Sequence, residues 1–319
     1  MSHFDLEAPA NILESVKWAT RRFEIGRVSY PRLHAEILLS SILKCARIDL
    51  YVRFDQLLDA GDRDAYFGHV SRHMAGEPVQ YIVGSTEFYS LTFEVSPSVL
   101  IPRPETEILV EYALSYLDRV PEVIDPAGIQ ECQLDFFTDD ARKANDLQVV
   151  DIGVGSGTIG LSLACLNSGI RLTGTDVSEE ALLVAGRNAL ALGVDNRVTL
   201  LHGSCCGPLA EMGLLESVDL LVSNPPYVRT VDISDLPDEI QSFEPIVALD
   251  GGEDGLHWYR QIIEEAKPFL RPDGALMLEI GADQAQEVTS IFGTSGGYRD
   301  LRIKQDYNGL DRVVLATRA

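Results

Sequence analysis

The sequence lacks several features that define whole classes of protein. No apolar run approaches the ~20 residues that a membrane-spanning helix needs. The first residues, MSHFDLEAPANILE, lack the basic start and apolar core of a secretion signal. The five cysteines form no C-x-x-C pair and no metal-ligand spacing, and the adjacent Cys205 and Cys206 suit neither a disulfide nor a tetrahedral metal site. We therefore expect a cytoplasmic protein with reduced thiols, no membrane association and no metal.

Basic side chains are also scarce. Lys and Arg number 26 against 49 Asp and Glu, which gives a net charge of −23 at pH 7. Residues 1–75 hold ten side chains of each sign, so the whole acidic excess lies after residue 75. A surface that binds DNA or RNA tightly needs Lys and Arg against the phosphates. The charge distribution therefore predicts no direct nucleic-acid binding by the second part of the chain.

The chain of 319 residues is long enough for two domains, and its patterning changes twice. Residues 1–75 predict an N-terminal helical bundle, with helices over about 12–25, from Pro31 and over 62–74. The bundle has no cluster of catalytic residue types, so its role is either packing or partner binding. Residues 76–104 are rich in β-branched and aromatic residues between Gly and Pro, and they predict a β-hairpin linker.

Residues 105–319 form the predicted second domain, which opens on a helix from about Glu105 to Leu117 with Pro104 in its first turn. The segment 121–146 contains seven acidic and two basic residues without periodicity, and it predicts an acidic surface insertion whose purpose the sequence does not reveal. From 147 onward, apolar strands alternate with helices. This alternation predicts an α/β fold with a mostly parallel sheet covered on both faces. Ligands of such sheets bind beyond the carboxyl ends of the strands.

The first strand of this domain ends in a glycine-rich loop, DIGVGSG, over residues 151–157. Glycines let the backbone turn sharply and approach a ligand without a Cβ atom in the way. The nicotinamide fingerprint G-x-G-x-x-G would need glycine at position 158, where Thr158 stands. The D-x-G-x-G-x-G spacing instead resembles the first motif of S-adenosylmethionine methyltransferases. The candidate cofactor-binding residues of this loop are Gly153, Val154, Gly155, Ser156 and Gly157.

The second strand ends at Asp176, in the stretch GTDVS. A carboxylate at this position can accept hydrogen bonds from both hydroxyls of a ribose, as in dinucleotide sites. Asp176 or Ser178 can equally cap the helix that begins near Glu179. The glycine loop one strand earlier favours cofactor binding by Asp176.

A later strand, VDLLVS, leaves through Asn224, Pro225, Pro226 and Tyr227. The two prolines fix φ and remove two backbone donors. The side-chain oxygen of Asn224 and a proline carbonyl remain as a rigid pair of acceptors beside an aromatic ring. A planar –NH2 group fits such a pair, and its nitrogen can then accept a methyl group by positioning alone, without a dedicated base. These four residues are the predicted catalytic and substrate-binding residues.

The three motifs together resemble amino-methyltransferases that act on adenine, cytosine or glutamine nitrogens. The stretches GEPVQYIVGSTEFY (76–89), VLIPRPETEILVE (99–111) and DYNGLDRVVLATR (306–318) sharpen the resemblance to the HemK-type (PrmC-type) glutamine methyltransferases of peptide chain release factors. The resemblance runs from about residue 10 to 318, apart from 121–146. It implies a Rossmann-like class I S-adenosylmethionine methyltransferase fold behind a helical bundle that contacts the release factor. The implied reaction methylates the amide nitrogen (N5) of the glutamine in a Gly-Gly-Gln motif.

By the same resemblance, the glycine loop embraces the methionine part of S-adenosylmethionine and Asp176 the ribose. The resemblance also implies that Asn224 binds the cofactor as well as the glutamine. Relatives tend to place an aromatic residue against adenine, where this sequence has Cys205. A thiol offers a smaller stacking surface, so the contact to adenine stays open. Glu105 and Glu279 belong to motifs near the site, but the sequence does not place their side chains.

Three alternatives remain open from the sequence. One is glutamine methylation of a large-subunit ribosomal protein, whose enzymes generally differ in the IPRPETE stretch (101–107). A second is methylation of adenine or cytosine in DNA, which the acidic charge disfavours. The third is a non-catalytic S-adenosylmethionine-binding adaptor. The intact segment 224–227, here called the Asn224 corner, disfavours it. The sequence does not indicate an oligomeric state or which release factors are accepted.

Overall fold

The computed structural model describes residues 9–118 and 147–319, so the predicted acidic insertion 121–146 lies outside the described residues. The chain divides into two compact units. Unit 1 comprises residues 1–85 together with 237–243. Unit 2 comprises residues 86–236 and 244–319. Within the described residues, every helix is too short or too polar to span a membrane.

Unit 1 is helical, as its periodicity predicts. Its helices are α1 (Ile12–Ile25), α2 (Pro31–Leu43), α3 (Asp49–Val52), α4 (Ala60–Met74), α5 (Val79–Val83) and α9 (Asp238–Phe243). The Asn11 side chain caps α1 by accepting a hydrogen bond from the Glu14 amide, and Gly26 ends the helix. The apolar face of α1 and that of α2 meet in one core around the buried Phe23 and Leu38.

The predicted linker 76–104 differs in part from the structure. Residues 79–83 form the helix α5, although their composition favours a strand. Pro78 precedes this helix and Gly84, with φ of +82°, ends it, while Val79 and Ile82 are buried in the core of unit 1. Burial in a helical core thus outweighs the intrinsic β preference of these residues.

The hairpin itself is shorter than the prediction. It consists of β1 (Ser85–Phe88) and β2 (Leu91–Glu94), which form a separate two-stranded sheet. Tyr89 and Ser90 connect the strands, and both have positive φ, as a two-residue turn that matches the strand twist requires.

Unit 2 contains one seven-stranded sheet. Its strands are β3 (Leu147–Ile152), β4 (Ile170–Asp176), β5 (Val198–His202), β6 (Val218–Ser223), β7 (Leu270–Glu279), β8 (Tyr298–Gln305) and β9 (Asp311–Arg318). They lie in the order β5-β4-β3-β6-β7-β9-β8. The first five are parallel, and β9 runs antiparallel to both β7 and β8. The predicted α/β class with a mostly parallel sheet is confirmed.

Helices cover both faces of the sheet in unit 2. They are α6 (Glu107–Asp118), α7 (Thr158–Leu166), α8 (Glu179–Ala191), α10 (His257–Ala266) and α11 (Ala285–Ser295). One buried cluster contains Tyr259 of α10 with Phe292 of α11, and another contains Leu109 of α6 with Leu161 of α7. Two apolar layers therefore enclose the sheet, which explains why its central strands read as continuous apolar runs.

The strand order reverses at β3. The chain runs from β3 outward to β4 and β5, then returns to place β6 on the other side of β3. Ile152 and Ser223 are register partners, so the loops that follow β3 and β6 begin side by side. This switch point is where open α/β sheets bind ligands.

Candidate active site

A cavity opens at the carboxyl ends of the central strands of unit 2. Loops after β3, β4, β5 and β6 supply its walls, and residues 98–103 and 245–248 supply others. The cavity brings together most of the residues singled out from the sequence, namely Gly153, Val154, Gly155, Ser156, Asp176, Cys205, Asn224, Pro225 and Pro226. The lining, taken over the described residues, includes neither Gly157 nor Tyr227.

The glycine loop follows β3 with three left-handed residues. Gly153, Gly155 and Gly157 have φ of +70°, +55° and +86°. An added Cβ at Gly153 would meet nothing within 4 Å, so conformation rather than crowding requires glycine there. At Gly157 the same atom would lie 2.5 Å from the Leu161 side chain, so this glycine permits close packing against α7. The loop therefore exposes the backbone of Gly153 and Gly155 to the cavity without a side chain at either position.

Asp151 stabilises this loop from below. Its side chain is fully buried, and its Oδ2 accepts a hydrogen bond of 2.9 Å from the Gly160 amide in the first turn of α7. Its Oδ1 has no hydrogen-bond partner among the described residues. Burial raises the pKa of Asp151 to about 7, the Gly160 hydrogen bond opposes that rise, and the Asp176 charge adds to it. Asp151 thus joins the end of β3 to the start of the next helix.

Asp176 ends β4 and faces the cavity. Its Oδ2 accepts a hydrogen bond of 2.9 Å from the Gly155 amide, and its Oδ1 accepts one of the same length from the Ser178 amide. The helix cap is Ser178, whose hydroxyl accepts from the Ala181 amide. Each carboxylate oxygen has a second lone pair, so Asp176 can hold the loop and still accept from a diol.

Cys205 lines the cavity beyond β5. Its residue is 5% exposed, and its backbone carbonyl accepts a hydrogen bond of 3.0 Å from the Thr175 hydroxyl. Burial raises the pKa of the Cys205 thiol to about 11, and burial also raises the pKa of the Cys206 thiol. Both thiols therefore stay neutral near pH 7 and serve as packing surfaces. Across the described segments, no group of three or more His, Cys, Asp or Glu side chains is arranged to hold a metal ion.

The Asn224 corner follows β6 directly. The side-chain nitrogen of Asn224 donates to the Thr106 hydroxyl at 3.2 Å. Tyr227 turns toward the core instead, where it packs against buried residues of the sheet and of α10. Burial, followed by the Glu279 charge, raises the pKa of the Tyr227 phenol to about 12, so this phenol stays protonated near pH 7.

The structure adds residues that sequence reasoning did not assign. Gln284 fixes the corner, because its side-chain nitrogen donates to the Tyr227 carbonyl at 3.1 Å. Arg103 lines the cavity and donates to Glu244, at 2.5 Å between Nη2 and Oε1. Thr106 also lines the cavity. Arg103 and Thr106 belong to the IPRPETE stretch, whose recurrence near family sites was the available signal, whereas nothing in the sequence pointed to Gln284.

Comparisons with known proteins agree with this geometry. The catalytic domain of hMettl16, solved in complex with the MAT2A 3'UTR hairpin 6, has a TM-score of 0.52 and 13% identity, and covers 83% of this chain and 84% of that one. The "Methyltransferase small domain" family model matches residues 135–241. The sheet order, the glycine loop and the acidic strand tip therefore define a class I S-adenosylmethionine-dependent methyltransferase, and S-adenosylmethionine is its cofactor.

Longer sequence matches narrow the family. A release factor glutamine methyltransferase of Moorella thermoacetica is 41% identical over 300 residues, which cover 94% of this chain and 96% of the relative. One of Geobacter sulfurreducens is 41% identical over 287 residues, covering 90% and 89%. The "PrmC N-terminal domain" model matches residues 14–84. The chain belongs to the release factor glutamine methyltransferase family, which confirms the family predicted from the sequence.

Proposed function

We propose that this chain transfers a methyl group from S-adenosylmethionine to the side-chain amide nitrogen of the glutamine in the Gly-Gly-Gln motif of peptide chain release factors. The observation that best supports it is the position of Asn224, Pro225 and Pro226 in the same cavity as the glycine loop and Asp176. The glycine loop and Asp176 can bind the methyl donor. The Asn224 corner, whose hydrogen-bond acceptors also make it the acceptor corner, can bind the amide.

The cavity residues fit the cofactor by chemistry and by space. The loop from Gly153 to Gly157 offers bare backbone to the methionine part, and its left-handed glycines leave room for close approach. Asp176 retains free lone pairs for the ribose hydroxyls while it holds the Gly155 amide. Cys205 would lie beside adenine as a neutral thiol, and the nearby Val177 supplies further apolar surface to the cavity.

The acceptor corner would orient the glutamine amide. When bound, the cofactor supplies an electrophilic methyl group on a positively charged sulfur. Asn224 Oδ1 and a proline carbonyl accept the two N–H bonds of the amide, because Pro225 and Pro226 have no backbone N–H of their own to compete. As nitrogen gains positive character, these hydrogen bonds strengthen and stabilise the transition state.

Proton removal needs no dedicated base in this scheme. The Tyr227 phenol, with its pKa raised to about 12, remains protonated near pH 7 and so does not serve as a base. Positioning alone is worth up to ~7–11 kcal/mol in favourable intramolecular reactions. The methylated amide can release its proton to water after transfer.

Unit 1 would recognise the release factor. It contains several large apolar side chains that are at least two-thirds exposed, among them Ile48, Val52 and Leu57. A contiguous exposed apolar patch is typical of protein-binding surfaces, and we propose that these side chains form one. Residues 1–75 are also electrically balanced, which suits recognition of a protein rather than of nucleic acid. The reaction would take place in the cytoplasm, where release factors act on ribosomes.

A methyl-transfer assay tests the proposal. Purified release factor and labelled S-adenosylmethionine should give one methyl group per release factor, and replacing the motif glutamine by alanine should abolish it. Asn224→Ala should lower kcat by about 10²- to 10³-fold, as loss of a transition-state hydrogen bond does elsewhere. Asn196→Ala is the matched control, since Asn196 is exposed near the opposite end of the strands.

The same assay separates the proposal from its alternatives. A large-subunit ribosomal protein is incubated in parallel under the same conditions. Faster labelling of that protein, or labelling of the release factor that survives loss of the motif glutamine, would contradict the proposed substrate.

A further inference from the structure

A buried carboxyl group lies behind the Asn224 side chain. Glu279 is the last residue of β7, and it is 2% exposed. β6 and β7 are neighbours, with Ser223 opposite Leu278, so Asn224 and Glu279 occupy the next positions on adjacent strand ends. Thr106, 3% exposed, reaches the same point from the turn before α6. Three polar side chains from distant parts of the sequence therefore meet beside the acceptor corner.

These three side chains interact with one another. Asn224 Nδ2 donates to Thr106 Oγ1 at 3.2 Å. The Glu279 carboxylate faces the Thr106 and Asn224 side chains, which both lower its pKa. An ionised carboxylate has acceptors only, so it requires the nitrogen end of the Asn224 amide and not the oxygen end. The nitrogen end of the Asn224 side chain then faces Thr106 and Glu279.

We infer that Glu279 and Thr106 are positioning residues that hold the Asn224 amide with its nitrogen toward the protein and its oxygen toward the cavity. The inference rests on the proposed function, because only a substrate that donates N–H bonds needs that oxygen. A flipped Asn224 would present donors to the glutamine amide and oppose its binding. The arrangement therefore selects an amide, which donates, over the otherwise similar carboxylate of glutamate, which cannot.

Stability does not account for Glu279. Its Oε2 has no hydrogen-bond partner among the described residues, although the side chain is buried. A buried polar atom without a partner costs free energy, so an apolar residue here would suit the fold better. A role in orienting Asn224 explains why a carboxyl group occupies this position.

Protonation of Glu279 would weaken the arrangement, because the new O–H is a donor that competes for Asn224 Oδ1. Burial raises the pKa of Glu279 to about 7, and the Thr106 and Asn224 side chains oppose that rise. The charged and titratable groups that face it are Arg312 of β9, which lowers the pKa, Glu105 of the turn, which raises it, and the phenols Tyr227 and Tyr259. Activity should therefore fall as the pH decreases through about 7.

The first test replaces the carboxylate. Glu279→Gln should lower kcat on purified release factor by about 10- to 100-fold, the loss expected for a hydrogen bond to a charged group. It should also remove the decrease of kcat below about pH 7, because an amide does not titrate. The dissociation constant for S-adenosylmethionine and the melting temperature should change little, since neither depends on the orientation of Asn224.

The second test uses a matched pair at position 106. Thr106→Val keeps the shape but removes the hydroxyl, and kcat should fall about 3- to 10-fold. Thr106→Ser keeps the hydroxyl, so its kcat should be higher than that of Thr106→Val. If Thr106 had only a structural role, Thr106→Val and Thr106→Ser would have the same kcat when they bind S-adenosylmethionine equally well.

The outcomes distinguish a failure of the proposed function from a failure of the proposed role of Glu279. Wild-type protein that does not methylate glutamine would overturn the proposed function itself. Active wild type with a folded Glu279→Gln variant of equal kcat would overturn only the role of Glu279. A low-pH decrease that persists in Glu279→Gln would assign the titration to another group, such as Asp151, and would also contradict the inference.

Discussion

At the scale of single residues, Asp151 links the end of β3 to the first turn of α7 at a cost that depends on pH. The folded chain holds its proton more tightly than the unfolded chain, because burial raises its pKa from 3.8 to about 7. The stability that Asp151 contributes is therefore complete below pH ~4 and decreases as the pH rises toward 7. The effect is limited to about 1.4 kcal/mol per pH unit for one proton.

Asp151→Asn tests this linkage. The free energy of unfolding of the wild type minus that of the variant should decrease between about pH 4 and 7, and urea denaturation at several pH values measures it. Glu279, whose pKa is also raised to about 7, is present in both proteins and cancels in the difference. A difference that stays constant or grows with pH would contradict the raised pKa.

The sequence predicts the site residues at the strand ends well. It predicts poorly the residues that hold them in position. Gly155 and Pro225 restrict or free the backbone in ways that a sequence displays directly. Thr106 and Asn224 form their hydrogen bond across 118 positions. Glu279 comes next to Asn224 only through the register of β6 and β7. Ordinary Thr, Glu and Gln residues acquire these roles from tertiary packing, which no local pattern records.

At the scale of elements, replacing glycine by alanine should have opposite effects on stability in two neighbouring segments. Gly157→Ala should lower the free energy of unfolding by about 2–4 kcal/mol, because it combines a left-handed conformation with a Cβ atom 2.5 Å from Leu161. Gly186→Ala lies inside α8, where the new Cβ would be 3.7 Å from Leu200. It should raise the free energy of unfolding by about 0.4–1 kcal/mol. Denaturant titration of both variants measures this contrast, and equal signs would refute it.

Some elements of the secondary structure can be predicted from the sequence, and others cannot. The strands and helices from β3 to β6 are predictable because apolar runs and turn residues mark their ends. The helix α5 is not, since Val79–Val83 is a strand-like sequence buried in a helical core. The helices α9 and α11 also have no counterpart in the sequence prediction. α9 has only six residues, Asp238–Phe243, which is too few for a helical period to appear.

At the scale of the whole molecule, the net charge of −23 determines which partners can approach. Double-stranded DNA should show no mobility shift with this protein at about 50 mM salt, where electrostatic binding is strongest. DNA added to the methyl-transfer assay should leave the rate on release factor unchanged. Retardation of DNA that weakens as salt is added would contradict this expectation and reopen DNA methylation.

The position of β9 in the sheet has a consequence during synthesis. β7 pairs with β9 on its outer side. Until residues 311–318 have left the ribosome, the outer backbone N–H and C=O groups of residues Ala275 to Leu278 in β7 therefore have no strand to pair with. β8 is translated earlier but pairs only with β9, so it cannot shield that edge. Nascent chains paused before Asp311 should therefore associate through β7 and depend on chaperones until the closing strand arrives.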